Sequence, residues 1–264
     1  VTIIVVPSMS TLTGHAALAK PQPPSLLLIG DPVSADANRF PYLVNARSEI
    51  EKIQAQFPSG RTVSLTGVSA EPGAYAAARP ERFSFIHFAA HATANSQDPL
   101  DSAIILSPHQ ENFKLYARDV THLPIRAELV TLSACRSAGA RAYAGEGLVG
   151  FAWAFLRAGA RDVIAGLWEV DDRSTGQLMT RLYASLRRGS SPAAALRDAQ
   201  LEMLKSNSVF HKPYYWAPFE VFAHSLSTQT RASNATRPRI PSARESRCCG
   251  STPEVHRQAA GAAP

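Results

Sequence analysis

Three cysteines in 264 residues are too few for a disulfide framework. Two of them, Cys248 and Cys249, are adjacent, and Cys135 lies far away in sequence. No stapled secreted fold is expected, and the usage fits a reducing cytoplasm. Long apolar runs are also lacking. The opening stretch Val1 to Val6 is apolar but short, with no basic start and no cleavage site. No later segment approaches the roughly 18 apolar residues of a membrane span. No internal repeat is present. The chain begins on Val and enters at once on a strand-like run, as expected for the C-terminal part of a longer protein.

The net charge of +6 suggests a nucleic-acid partner, but its distribution argues otherwise. From Ser225 to Pro264 there are six arginines against Glu245 and Glu254, which is +4, so only +2 remains for the rest. This basic stretch lacks the interleaved aromatics of a recognition surface. Neither a specific nucleic acid nor a membrane is expected as partner. Ser, Thr, Arg, Pro and Ala dominate after His224, so residues 225–264 are expected to be a disordered basic tail behind one domain over residues 1–224. Thr11 to Ser25, with Pro21, Pro23 and Pro24, reads as a loop.

What is present is a 45% hydrophobic composition, enough for one large α/β domain. Ser25–Gly30, Thr62–Leu65, Ser84–Phe88, Ala103–Leu106, Leu129–Leu132 and Asp162–Leu167 read as strands, several apolar on both faces as buried parallel strands are. Ala46–Phe57, Gly147–Ala158, Ser174–Arg187 and Pro192–Lys205 read as helices, the last opened by a Ser191 cap before Pro192. Such alternation predicts a mostly parallel sheet with helices on both faces.

Reactive groups in such sheets gather where strands end. The strand through Phe88 leads to His91, and the strand through Leu132 leads to Cys135, 44 positions on. A thiolate beside an imidazole suffices for acyl transfer. Ala90, Ala92, Ala134, Ser137, Ala138 and Gly139 would leave room for a peptide backbone, and the N–H groups of Ala92 and Cys135 are candidate oxyanion donors. Taken alone, the same two residues also read as a small buried Cys and a hydrogen-bonded core His.

The runs Phe85-Ile86-His87-Phe88-Ala89-Ala90-His91 and Leu129-Val130-Thr131-Leu132-Ser133-Ala134-Cys135 resemble the His and Cys blocks of bacterial CHAT domains, relatives of the caspases and separases. Gly145-Glu146-Gly147-Leu148, Phe155 to Ala160, Gly166 to Asp172, Ala194 to Gln200 and Pro213 to Ala217 resemble the remaining blocks in their usual order, from about Val5 to Phe222. The resemblance implies a caspase-like three-layer α/β sandwich with a mostly parallel central sheet flanked by helices. It also implies a cysteine endopeptidase using a His91–Cys135 dyad on protein substrates, without metal or cofactor. It further implies regulation by an upstream helical-repeat or sensor domain or subunit. Three positions depart from the pattern. Ala92 stands where Gly usually follows the His, Arg136-Ser137-Ala138-Gly139 replaces a Glu-Thr-Gly-like stretch, and the end of the domain, Val221 to His224, lacks the usual Gly. A non-catalytic interaction module of the same fold is therefore the alternative.

Other motifs carry less. Asp171 and Asp172 precede a helix and read as caps, while likeness to separases gives Asp172 a second role, holding a basic side chain of the substrate. Cleavage after Arg or Lys is the resulting expectation, with Arg136 pointing to the opposite preference. His87 and His91 are four apart, but the intervening Phe88, Ala89 and Ala90 on a strand do not suit a zinc pair, so His87 reads as structural. Gly145-Glu146-Gly147-Leu148-Val149-Gly150 matches a dinucleotide fingerprint, with Glu169 near the ribose-binding position. Nine residues separate its first Gly from Cys135, whereas a fingerprint starts directly after a strand, and so it reads as a loop entering a helix.

Overall fold

The computed structural model describes residues 4–5, 24–95, 97–133, 146–168 and 171–223, with side chains left aside at 4–5 and 146–149. Cys135, Arg136, Gly145, Glu169, His224 and the tail 225–264 lie outside the described residues.

The strands are β1 (Ile4–Val5), β2 (Leu26–Gly30), β3 (Thr62–Thr66), β4 (Phe85–Ala89), β5 (His91–Thr93), β6 (Ala103–His109), β7 (Asn112–Tyr116), β8 (Leu129–Ser133), β9 (Asp162–Gly166) and β10 (Phe219–Ala223). The helices are α1 (Ala46–Gln54), α2 (Pro72–Ala77), α3 (Ala117–Thr121), α4 (Glu146–Ala158), α5 (Asp172–Arg187) and α6 (Pro192–Leu204). Seven strands form one sheet in the order β1-β10-β9-β8-β4-β2-β3. β9, β8, β4, β2 and β3 run parallel, and β10 is antiparallel to β9.

Successive side chains on a strand face opposite ways, and this divides the core in two. Leu27 and Ile29 of β2, Ile86 and Phe88 of β4, and Val130 and Leu132 of β8 join Tyr75 of α2, Val120 of α3 and Phe151 and Phe155 of α4. Leu26, Leu28, Phe85, Leu129 and Ile164 join Ile50 and Ile53 of α1, Leu178 and Leu182 of α5, and Leu196 and Met203 of α6. A helix layer on each face makes the three-layer, mostly parallel arrangement expected from the sequence. Both faces being apolar explains why these strands read as continuous hydrophobic runs.

Ala103–Leu106 differs from its expected place. It belongs to β6 in a separate antiparallel sheet, β5-β6-β7, and not to the parallel sheet. Full burial of its first five residues gives it the same apolar signature as the parallel strands. The expected α6 cap is present, since Ser191 Oγ accepts from Ala194 N ahead of Pro192. Glu146 to Gly150 is the start of α4, and a Cβ at Gly150 would lie 2.9 Å from Pro99. Close helix packing, and not a phosphate loop, therefore accounts for that glycine.

Candidate active site at the strand ends

The parallel strands β2, β4, β8 and β9 end on one edge of the sheet, and the register there is tight. Gly30 pairs with Ala89 and Ala89 pairs with Ser133. A Cβ on Gly30 would come within 2.3 Å of the Ala89 carbonyl oxygen, so only glycine lets β2 end this close to β4. Beyond this row come Asp31 after β2, His91 after β4, and Asp172 after β9.

His91 opens β5, opposite Ile105 of β6, and is 4% exposed. Its Nε2 lies 2.6 Å from the Pro41 carbonyl oxygen. A carbonyl can only accept, so Nε2 donates, and the neutral ring keeps its lone pair on Nδ1. Nδ1 is buried and has no hydrogen-bond partner among the described residues. The Phe40 ring lies 6.0 Å from the imidazole and packs in turn on Ala103 and Ile105 of β6. The second sheet thus supports the ring that supports His91.

Pro41 sits on a segment tied at several points along the edge. Ser34 Oγ donates to the Phe40 carbonyl at 2.6 Å, and Phe40 N donates to Asp36 O at 2.7 Å. Asn45, the residue before α1, donates from N and Nδ2 to Asp172 Oδ2 at 2.6 and 3.0 Å. The two acids ahead of α5 therefore divide their work. Asp171 caps the helix by accepting from Ser174 N, and Asp172 clasps the start of α1, with Oδ2 already engaged. Ala92 lies inside β5, opposite Ile104.

Asp31 was not singled out from the sequence, although it stands directly after a strand, as His91 nearly does. It is 4% exposed and has a φ of 51°, a left-handed conformation uncommon outside Gly, Asn and Asp. Arg47 Nε meets its Oδ2 at 2.8 Å. A hydrogen bond to Asp31, then burial and the carboxylate's charge, raise the Tyr42 phenol above the usual tyrosine range. Asp31, Pro41, Tyr42 and His91 line one small cavity.

His87 was expected as a structural strand residue, but its partner Glu49 was not singled out from the sequence. His87 Nε2 lies 2.9 Å from Glu49 Oε1, with both side chains at most 1% exposed, pinning α1 onto β4. The two histidines four apart thus have separate partners, Glu49 and Pro41.

Residues 1–225 match the CHAT domain family. The chain is 31% identical over 126 residues to tetratricopeptide repeat protein 28 of Mus musculus, and 29% identical over 126 residues to that of Homo sapiens. Each match spans 48% of this chain and 5% of the relative. Among solved structures, the chain is similar to the Porphyromonas gingivalis RgpB pro- and mature domains (TM-score 0.48, 13% identity, 76% of this chain and 47% of that one). It is similar also to the Saccharomyces cerevisiae separase–securin complex (0.47, 13%, 75% and 12%). A third is a secreted C11 cysteine protease of Bacteroides thetaiotaomicron (0.44, 10%, 76% and 66%).

Proposed function

The chain belongs to the CHAT domain family, and from that premise we propose that it is a cysteine endopeptidase with His91 and Cys135 as its dyad. The observation that carries the proposal is the state of His91. Its Nε2–H is spent on the Pro41 carbonyl, and its Nδ1 lone pair is left without a partner among the described residues. The register supports the choice of nucleophile. Ala89 pairs with Ser133 across neighbouring parallel strands, and His91 and Cys135 each follow two residues later.

In the proposed reaction Nδ1 of His91 takes the thiol proton, and the Cys135 sulfur attacks the scissile carbonyl. The backbone N–H groups of Ala92 and Cys135 hold the oxyanion. The imidazolium returns its proton to the leaving amine, and water then hydrolyses the thioester. No step uses a metal or cofactor. Asp172 is proposed as the acid that receives a basic side chain at the cleaved position, through Oδ1, since Oδ2 serves Asn45.

An upstream helical-repeat segment is proposed as the regulator, in keeping with the names of the mammalian relatives. A cytoplasmic setting is proposed from the cysteine usage. Among the described residues no helix is long and apolar enough to cross a membrane.

The test is a peptide library profiled on the parent chain and on Cys135→Ala and Asp172→Ala. Cleavage after Arg or Lys, lost with Cys135→Ala and with its basic preference weakened by Asp172→Ala, is expected. Cleavage after Asp would overturn the specificity, and cleavage surviving Cys135→Ala would overturn the mechanism.

A further inference from the structure

The Pro41 carbonyl fixes the His91 ring, yet no helix or strand holds Pro41 itself. Residues 31–45, between β2 and α1, form an irregular stretch, and such connections are ordinarily the mobile parts of a fold. Side chains must therefore keep that carbonyl in place. Asp31 opens the stretch and Arg47 follows it on α1, and their contact at 2.8 Å closes the stretch at its base. Asp31 is also tied to the strand that leads to His91. Its N donates to the Ala89 carbonyl at 3.0 Å, and its own carbonyl accepts from Gly67 N at 3.1 Å.

An ion pair between two exposed groups would contribute little. This pair differs, because the Asp31 side chain is 3% exposed and that of Arg47 is 55% exposed. Without Arg47 the carboxylate would be a buried charge lacking its counter-ion, which the fold relieves by admitting water. The Asp31 backbone is pinned on both sides, so the cover over the carboxylate has to lift. That cover includes Pro41 and Tyr42, which line the same small cavity as Asp31 and His91. The Tyr42 phenol faces the carboxylate closely enough to be raised by it. Asp31 is thus coupled to the residues on both sides of the carbonyl that His91 uses.

We infer that Asp31 is a positioning residue for the proposed dyad. Paired with Arg47, it closes the stretch 31–45 over its own carboxylate and keeps the Pro41 carbonyl on Nε2 of His91, so that the lone pair stays on Nδ1. The inference rests on the peptidase reading of His91, but the state of the ring is measurable without turnover.

The test records the ring-nitrogen NMR signals of histidine-labelled full chain at neutral pH, with His91 assigned by its absence in His91→Ala. The parent should show a protonated Nε2 and a bare Nδ1. In Arg47→Ala both signals should move towards the averaged values of a free imidazole. There kcat for a peptide substrate should fall about tenfold or more, as for a misplaced catalytic group, with KM changed less than about twofold. Arg47→Lys should recover most of both effects, because Arg47 uses Nε alone and one cation can stand in for it. Asp31→Asn, which keeps the side-chain volume and removes the buried charge, should loosen the ring as Arg47→Ala does, and decides the matter if Arg47→Ala does not fold. A ring that keeps its parent signals in both variants would overturn the inference, as would a fall in kcat with those signals unchanged or the same loss in Arg47→Lys as in Arg47→Ala. An inert parent whose ring loosens in Arg47→Ala would sink the peptidase reading and spare the tie. An active parent whose ring ignores the substitutions would do the reverse.

Discussion

At Nε2 of His91 a single hydrogen bond decides what the ring can do. With the Pro41 carbonyl accepting there, the ring can serve as a base only through Nδ1. Replacing His91 by Ala should abolish cleavage. It should also cost about 1–2 kcal/mol, because the Pro41 bond and the contact with Phe40 both disappear. Cys135→Ala should abolish cleavage too, with stability in urea changed by less than about 1 kcal/mol. A stable, fully active His91→Ala variant would contradict the assignment. His91 was legible in the sequence because it follows a recognisable strand. Pro41 was not, since it acts through a backbone carbonyl, which every residue has.

Glu49 and His87 make a different demand on the core. Removing one partner of a buried pair leaves the other without its bond, so Glu49→Ala should lower stability by about 3–5 kcal/mol. Replacing both residues by apolar ones of similar size should recover most of that loss, as urea titration of the three proteins would show. Equal losses in the single and double variants would mean that the pair itself contributes net stability. The sequence marked His87 as a structural strand residue but named no partner. That partner lies on α1, 38 positions away in sequence.

Among elements, the four long helices and the central parallel strands were legible because each has its own periodicity and flanking signals. Shorter pieces were not. β5 has three residues and α3 has five, too few to establish a period. β6 was found but placed in the wrong sheet, since full burial makes an antiparallel strand look like a parallel one. The start of α4 gives a prediction at this scale. Gly150→Ala should destabilise the chain by about 1–3 kcal/mol through its clash with Pro99, and NAD should leave the melting temperature of the parent unchanged. A tolerated Gly150→Ala together with stabilisation by NAD would favour the dinucleotide reading instead.

For the whole molecule, the two cores on either side of the sheet set its response to alkali. Tyr75 and Tyr183 sit inside them, and burial, the leading cause in both, raises each phenol well above its ordinary value. The unfolded chain would lose these protons near its ordinary tyrosine pKa, and the folded chain only at higher pH. Their contribution is therefore complete below about pH 10 and is lost as pH rises from there towards the folded values. Stability should fall over that range, with part of the phenolate absorbance appearing only on unfolding. A full tyrosine titration in the folded state would contradict the burial of these two rings.

The dyad itself is tested most directly by an irreversible, thiol-directed peptide probe ending in Arg, applied to the parent chain and to His91→Ala, with the modified cysteine located by mass spectrometry. Rapid labelling of Cys135, little labelling of Cys248 and Cys249, and a loss of rate of about a hundredfold or more in His91→Ala are expected for a thiol activated by the imidazole. An unlabelled Cys135, or a labelling rate that His91→Ala leaves unchanged, would contradict a His91–Cys135 peptidase and leave a non-catalytic module of the same fold.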